Sequence, residues 1–172
     1  ALDIVLAGDL IADSQGSVAS AHVPEVAAER RALMIFTSGT TSKPKGVVTT
    51  HANVEAQITA LVDSWGWQAT DRIPLFLPLH HVHGLINILC CALWVGAQVE
   101  AFPDGFDPRR VLEGAAVRRW TVFMAVPTIY VKLIAAIDAA SDEAARRYCQ
   151  GFGSMRLMVS GSAGLRASVY DR

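Results

Sequence analysis

"ALMIFTSGTTSKPKGVVTT", residues 32–50, sets a pattern that the rest of the chain repeats. A short apolar run, Ala32–Phe36, stops at a cluster of hydroxyls and glycine, and so reads as a buried strand. The ten residues Thr37–Gly46 hold five hydroxyl side chains, two lysines, two glycines and one proline. Val47–Thr50 reads as a short further strand, and Thr50 or Asn53 caps a helix running to about Trp65. Val54, Ile58, Leu61, Val62 and Trp65 recur at helical spacing and form one apolar stripe.

Outward from there the alternation continues. Ile73–Leu79 is a second buried strand with Pro74 and Pro78 at its ends, where proline is tolerated, and "HHVHG" (80–84) is its exit loop. Gly84–Gly96 is a buried helix and "QVEAF" (98–102) a third strand. Asp107 caps a helix with Pro108 at its first position, running to about Arg119. "TVFMAV" (121–126) is a fourth strand. Pro127 opens one helix, and Ser141 or Asp142 caps another. "MRLMVSG" (155–161) is a fifth strand, and "SAGLRASVYDR" (162–172) begins a helix. Short, continuously apolar strands alternating with helices predict an α/β fold, a mostly parallel sheet covered by helices. Residues 1–31 form a partly loop-like lead-in, and residues 32–172 an incomplete α/β subdomain. Such sheets bind ligands where strands end. The polar exits are "TSGTTSKPKG" (37–46), "HHVHG", "VPT" (126–128) and "SGSAG" (160–164), predicted to share one edge.

Bulk properties exclude several classes. The 172 residues suffice for one domain with a core. Hydrophobic residues make up 52%, and mean hydropathy is +0.32. The longest apolar candidate, Gly84–Val99, contains Asn87 and Gln98 and falls short of the ~18 residues of a membrane span. A net charge of −1 offers no nucleic-acid surface. "RRVLEGAAVRR" (109–119), the densest basic stretch, reads as a solvated helix face. Three cysteines make no disulfide framework, and Cys90 and Cys91 read as core. A reducing compartment follows, the cytoplasm or a mitochondrial matrix. Trp65, Trp67, Trp94 and Trp120 all read as core residues. Oligomeric state is not encoded in any feature of the sequence.

In the hydroxyl-rich loop, Gly39 and Gly46 let the backbone turn its N–H groups inward, the makings of an anion nest. Ser38, Thr40 and Thr41 add donors, Lys43 and Lys45 add charge, and Pro44 stiffens the segment. That chemistry suits a polyphosphate, with a flexible surface loop as the competing reading. The common P-loop pattern fails, because Val47 follows Gly46.

"TSGTTSKPKG" resembles the phosphate-binding signature of the adenylate-forming superfamily: acyl-CoA synthetases, luciferases and peptide-synthetase adenylation domains. The resemblance runs on through "LPLHHVHGL" (77–85), "VPTIY" (126–130) and "LMVSGSAGL" (157–165), from about Ala32 to the end, and is greatest to malonyl-CoA synthetases. Two positions depart from it: Ser42 stands where the family has glycine, and Gly164 where alanine or proline is usual. The resemblance implies a two-step ligase. A carboxylate attacks the α-phosphate of Mg2+-ATP, and coenzyme A then displaces AMP. It implies Thr37, Ser38, Gly39, Thr40, Thr41 and Lys45 as ATP phosphate contacts.

Three histidines in "HHVHG" suggest a metal site, but no cysteine or carboxylate nearby completes a zinc set, so no metal ligand is assigned. A hydrogen-bonded loop is the plain alternative. The resemblance implies His81 as the catalytic residue that orients the carboxylate. It places His83 and Ser160 in the acid pocket, and Gly161, Ser162 and Ala163 in the loop beside adenine and acid. The family's "YGxTE" segment, its ribose aspartate and its C-terminal domain with the catalytic lysine are not found here. The expectation is therefore an internal fragment of an acid–CoA ligase for malonate or methylmalonate, inactive alone. The alternatives are a fatty or aromatic acid–CoA ligase of the same superfamily, and a non-catalytic nucleotide-binding module.

Overall fold

Proline and chain direction decide how the strands pair. The computed structural model describes residues 25–37 and 44–171. Ser38, Gly39, Thr40, Thr41, Ser42 and Lys43 lie outside the described residues, as does most of the lead-in. The first strand, β1 (Arg31–Thr37), pairs antiparallel with β2 (Lys45–Thr50), Thr37 facing Lys45 and Phe36 facing Gly46. The hydroxyl-rich stretch therefore joins the two arms of a hairpin and is not an exit from the parallel sheet. Gly46 sits in β2 with no left-handed angle; a Cβ there would meet the Met34 sulfur at 2.7 Å. Met34 is exposed and its flexible side chain can move aside, so neither a turned backbone nor rigid packing demands glycine there.

Helix α1 (His51–Trp65) starts as expected from Thr50. The Thr50 hydroxyl accepts from the Asn53 N–H, and the Asn53 side chain accepts from the Thr50 N–H, a reciprocal cap. Gly66 ends the helix in the left-handed region at φ 58°, where a side chain would be strained. Ile58 is buried, and Val54, Leu61, Val62 and Trp65 pack on the core.

Strand β3 (Arg72–Leu75) pairs in parallel with β4 (Gln98–Ala101), and β5 (Val122–Ala125) with β6 (Leu157–Ser160). β3 lies beside β5, joined where the Thr121 N–H donates to the Arg72 carbonyl at 2.9 Å. Pro74 is inside β3, not at its end. Arg72 turns its backbone toward β5, since its N–H donates to the Thr121 hydroxyl. Alternation turns Pro74 the same way, and proline has no N–H to offer. The ladder accordingly breaks between β3 and β5. Every residue of β5 is buried, with Phe123 edge-on to Tyr130 and Phe152.

Between β3 and β4 the chain forms a π-helix (His83–Cys90) running into α2 (Cys91–Val95). A single helix from Gly84 to Gly96 was expected; the first two turns are wider, and His83 belongs to them. Helix α3 (Pro108–Ala116) joins β4 to β5, and α4 (Pro127–Asp138) with α5 (Asp142–Gly153) joins β5 to β6. Asp107 and Ser141 cap as predicted. From β3 the chain moves to β4, then back past β3 to β5 and on to β6. Right-handed crossovers put the two directions of travel on opposite faces. Consistently, α1 packs on the π-helix and α2, while α3 packs on α4 and α5. Gly151 of α5 presses on α3 so closely that a Cβ would lie 2.1 Å from the Ala115 carbonyl oxygen.

The basic stretch 109–119 is only partly a solvated face. Arg110 and Arg119 both pair with Glu100 at 3.1 Å, and Arg110 lies 3.8 Å over the Phe102 ring. Trp67 and Trp120 are buried, but Trp94 is 53% exposed, contrary to expectation. Cys91 is fully buried and burial pushes its thiol up to about 11, so it is an inert core residue. No helix among the described residues is long and apolar enough to cross a membrane.

Candidate acid and phosphate site

Ligand crevices in such sheets open outside the strand ends, where neighbouring crossovers leave in opposite directions. Here that point lies between β3 and β5. Beyond Leu75, Phe76 and Leu77 stay buried, and Pro78–His81 form a turn closed by the His81 N–H on the Pro78 carbonyl at 3.2 Å. Gly84 lets the π-helix start directly behind that turn. A Cβ on it would come within 2.7 Å of the Pro78 oxygen and 2.9 Å of the Leu77 oxygen. The tight return separates the histidines. His80 and His81 stay exposed with their rings 4.3 Å apart, while His83 is 6% exposed. Since these residues form a turn and a helix start rather than a strand, His81 and His83 do not share a face.

His83 lies against the exit of β6. Its Nδ1 is 3.1 Å from the Ser162 hydroxyl, and its ring covers Gly161. A Cβ on Gly161 would stand 2.9 Å from the His83 Cε1. The Gly161 N–H donates to the Ala125 carbonyl at 3.1 Å, which fixes the loop to β5. Ser162 is held at φ 67°, a left-handed angle uncommon outside glycine. Burial holds the His83 imidazole below its ordinary 6.5, and so neutral at neutral pH. Two buried polar atoms at this exit have no partner among the described residues, the His83 Nε2 and the Ser160 Oγ. Unpaired buried polar groups are costly, so a pair of them at a strand exit marks a place for a ligand or ordered water.

Of the expected site residues, the fold thus brings together His83, Ser160, Gly161 and Ser162. Ala163 and Gly164 follow in the same exposed loop. Gly164 has neither a left-handed angle nor any atom within 4 Å of a Cβ, so nothing in the fold demands glycine there. The last helix, α6 (Ala167–Tyr170), starts only after that loop. His81 sits in the neighbouring turn, with no hydrogen bond to its ring among those described. Thr37 and Lys45 face each other at the mouth of the β1–β2 hairpin, the Thr37 hydroxyl 3.4 Å from the Lys45 carbonyl oxygen.

Tyr130 received no role from the sequence. It follows the "VPT" turn in α4, and its hydroxyl donates to the Val159 carbonyl at 2.9 Å. That bond ties α4 to the end of β6, one residue before Ser160. The available signal was a tyrosine within an apolar helical run, whose hydroxyl needs a partner once buried.

The chain is similar in sequence and in overall fold to known proteins. The mitochondrial malonate–CoA ligase of Xenopus laevis is 47% identical over 152 residues, covering 84% of this chain and 26% of that protein. ATP-bound MatB from Rhodopseudomonas palustris superposes with a TM-score of 0.75 at 31% identity, over 95% of this chain and 30% of that one. A malonyl-CoA ligase complexed with methylmalonyl-CoA and AMP gives a TM-score of 0.77 at 30% identity, over 87% of this chain and 31% of that one. The chain spans about a quarter of the length of the curated relatives it matches. Residues 3–172 match the family model described as AMP-binding enzyme, and the α/β architecture agrees with the solved neighbours, so the chain belongs to the AMP-binding enzyme family.

Proposed function

We propose that this chain forms the phosphate- and acid-binding part of an AMP-forming ligase that joins malonate or methylmalonate to coenzyme A. The observation that carries the reading is the buried His83, pinned to the β6 exit with its Nε2 unpartnered, in a chain so similar to malonate–CoA ligases. A dicarboxylic acid presents one carboxylate for reaction and a second for recognition. His83 and Ser160 receive the second, His81 orients the first, and Gly161, Ser162 and Ala163 lie beside adenine and acid.

Thr37, Ser38, Gly39, Thr40, Thr41 and Lys45 hold the ATP phosphates. An oxygen of the acid forms a bond to the α-phosphorus as the bond to pyrophosphate breaks. The loop's donors then face the charge that departs, which is where placed dipoles lower a barrier most. In the second step the coenzyme A thiol sulfur bonds to the acyl carbon, losing its proton, and AMP leaves. The described residues contain no cluster of three His, Cys, Asp or Glu side chains that could hold a metal ion. Magnesium accompanying ATP would be held mainly by the phosphates and water, with few protein side chains. Named mitochondrial relatives favour the mitochondrial matrix as the compartment.

The test is malonate-dependent exchange of labelled pyrophosphate into ATP by a family-length polypeptide carrying this chain. Lys45→Ala should slow exchange with any acid by about a hundredfold. His83→Ala should cost malonate about tenfold more than acetate in kcat/KM. Equal losses for both acids would remove the dicarboxylate assignment, and unchanged exchange in Lys45→Ala would remove the phosphate-loop assignment.

A further inference from the structure

Gly161 and Ser162 divide two tasks that a single glycine would leave half done. The close approach of the His83 ring demands glycine at 161, where a Cβ would stand 2.9 Å from the ring. The left-handed angle falls one residue later, on Ser162 at φ 67°. Glycine would adopt that angle freely, and serine bears it at a steric cost. Strained residues persist where surrounding structure holds them, and they gather at sites of function. What serine adds at 162 is a hydroxyl, 3.1 Å from the His83 Nδ1.

An imidazole with one ring nitrogen engaged has its other nitrogen's role decided by that partner. A hydroxyl that donates to Nδ1 leaves the proton on Nε2; one that accepts leaves Nε2 as a bare lone pair. The Nε2 atom is buried and unpartnered. A lone pair there would repel a carboxylate, whereas an N–H would receive one.

We propose that Ser162 is a positioning residue whose hydroxyl donates to the His83 Nδ1 and fixes the neutral tautomer with its proton on Nε2, aimed at a carboxylate oxygen of the acid. The carboxylate in that statement rests on the acid-pocket reading; the tautomer does not. Gly161 sets how close the ring comes, and Ser162 sets which nitrogen donates. Because the angle is strained and the bond spans 79 positions in sequence, the arrangement exists only in the folded chain.

The experiment is nitrogen-15 NMR of the imidazole rings in the labelled 172-residue chain, beside Ser162→Gly and Ser162→Asn. In the native chain His83 should show the proton on Nε2. Ser162→Gly should raise the urea midpoint, since the strained angle is relieved, yet mix the two tautomers. Ser162→Asn tolerates the angle and supplies an amide donor, and should restore the single tautomer. A purely structural serine would let glycine improve the fold and leave the ring unchanged. The proton on Nδ1 in the native chain, or an unaltered tautomer in Ser162→Gly, would overturn the proposal. In a family-length polypeptide carrying this chain, adding malonate should shift the native Nε2 signal, with binding about fivefold weaker in Ser162→Gly. Should malonate shift nothing while the tautomers behave as expected, the acid-pocket reading falls and the role of Ser162 is supported.

Discussion

Among the described residues, one buried side-chain polar atom is unpaired where the parallel strands begin and two where they end. At the amino ends, the Asp71 carboxylate is 1% exposed and accepts from the Gln68 N–H, the Thr121 hydroxyl and the Arg156 guanidinium, the last through two nitrogens. Arg156 also donates to the Trp65 carbonyl. One cluster thus ties the segments preceding β3, β5 and β6. The indole N–H of Trp67 is the exception on that side. At the carboxyl ends, the His83 Nε2 and the Ser160 Oγ have no partner among the described residues; each side also has one non-glycine residue at a left-handed angle, Arg118 before β5 and Ser162 after β6. The difference lies in pairing: the amino ends are tied by a satisfied ion-pair cluster, and the carboxyl ends keep two buried polar atoms unpaired. A fold tolerates unpaired groups where binding completes them.

The largest test of this contrast removes the Asp71 carboxylate. Asp71→Ala leaves the Arg156 guanidinium without its partner, and urea unfolding should show a loss of about 3 kcal/mol. The low end of the usual range applies because the Arg156 side chain is 30% exposed. A loss below about 1 kcal/mol would mean that the amino-end cluster is not what secures the strands. Next in size, Gly161→Ala should cost about 2 kcal/mol, since the new methyl group drives the His83 ring off the loop. The same variant should abolish any malonate response in the histidine NMR signals.

Acid separates the two ends by window. Burial alone would raise the Asp71 carboxyl, but the Arg156, Gln68 and Thr121 donors outweigh it and hold the group below its ordinary 3.8. A carboxyl lowered by folding adds stability above its unfolded value, lost as pH falls through the folded value. His83, lowered by burial, follows the same sign from a higher start. Its contribution is intact above about 6.5, the unfolded histidine value, and declines as pH drops below it. Stability should therefore fall in two windows, one below about 6.5 that disappears in His83→Gln and one below about 3.8 that disappears in Asp71→Asn. A single acid transition unaffected by His83→Gln would show that the carboxyl-end histidine is not held neutral. Smallest of all, Ser160→Ala removes an unpaired hydroxyl and should leave stability unchanged or raise it by up to about 1 kcal/mol. A loss larger than that would reveal a partner for Ser160 in the native chain.

Features set by neighbours in sequence were legible. Thr50, Asp107 with Pro108, Pro127 and Ser141 each announce a helix start, because caps act over three or four residues. The apolar run at 122–125 announced a buried strand and that at 157–160 a strand, which is only half-buried with Met158 exposed, and the grouping of polar exits pointed to His83 and the "SGSAG" loop. Long-range pairings were not legible. Asp71 and Arg156 are 85 positions apart, and neither has a local pattern that names the other. The wide π-helix was hidden for a related reason. Its apolar spacing is that of an ordinary helix, and only the fit of Gly84 against the preceding turn shows where His83 points. Pro74 was misplaced because a proline at a strand end and one facing a gap in a ladder look alike in sequence. The resemblance to adenylate-forming enzymes supplied the family, which the match over residues 3–172 establishes. It also supplied the roles of individual residues, which await the experiments above.

All four tryptophans stand in segments that lead into the parallel strands: Trp65 and Trp67 before β3, Trp94 before β4 and Trp120 before β5. The residues gathered around His83 include none. Intrinsic fluorescence is therefore a one-sided witness. It will register melting of the amino-end cluster and stay nearly dark to ligands that arrive at the opposite edge, so a silent emission spectrum on adding acid substrate is no sign that the substrate failed to bind. A tryptophan placed for reporting, at the exposed Leu79 beside the histidine turn for instance, would give that edge a signal of its own.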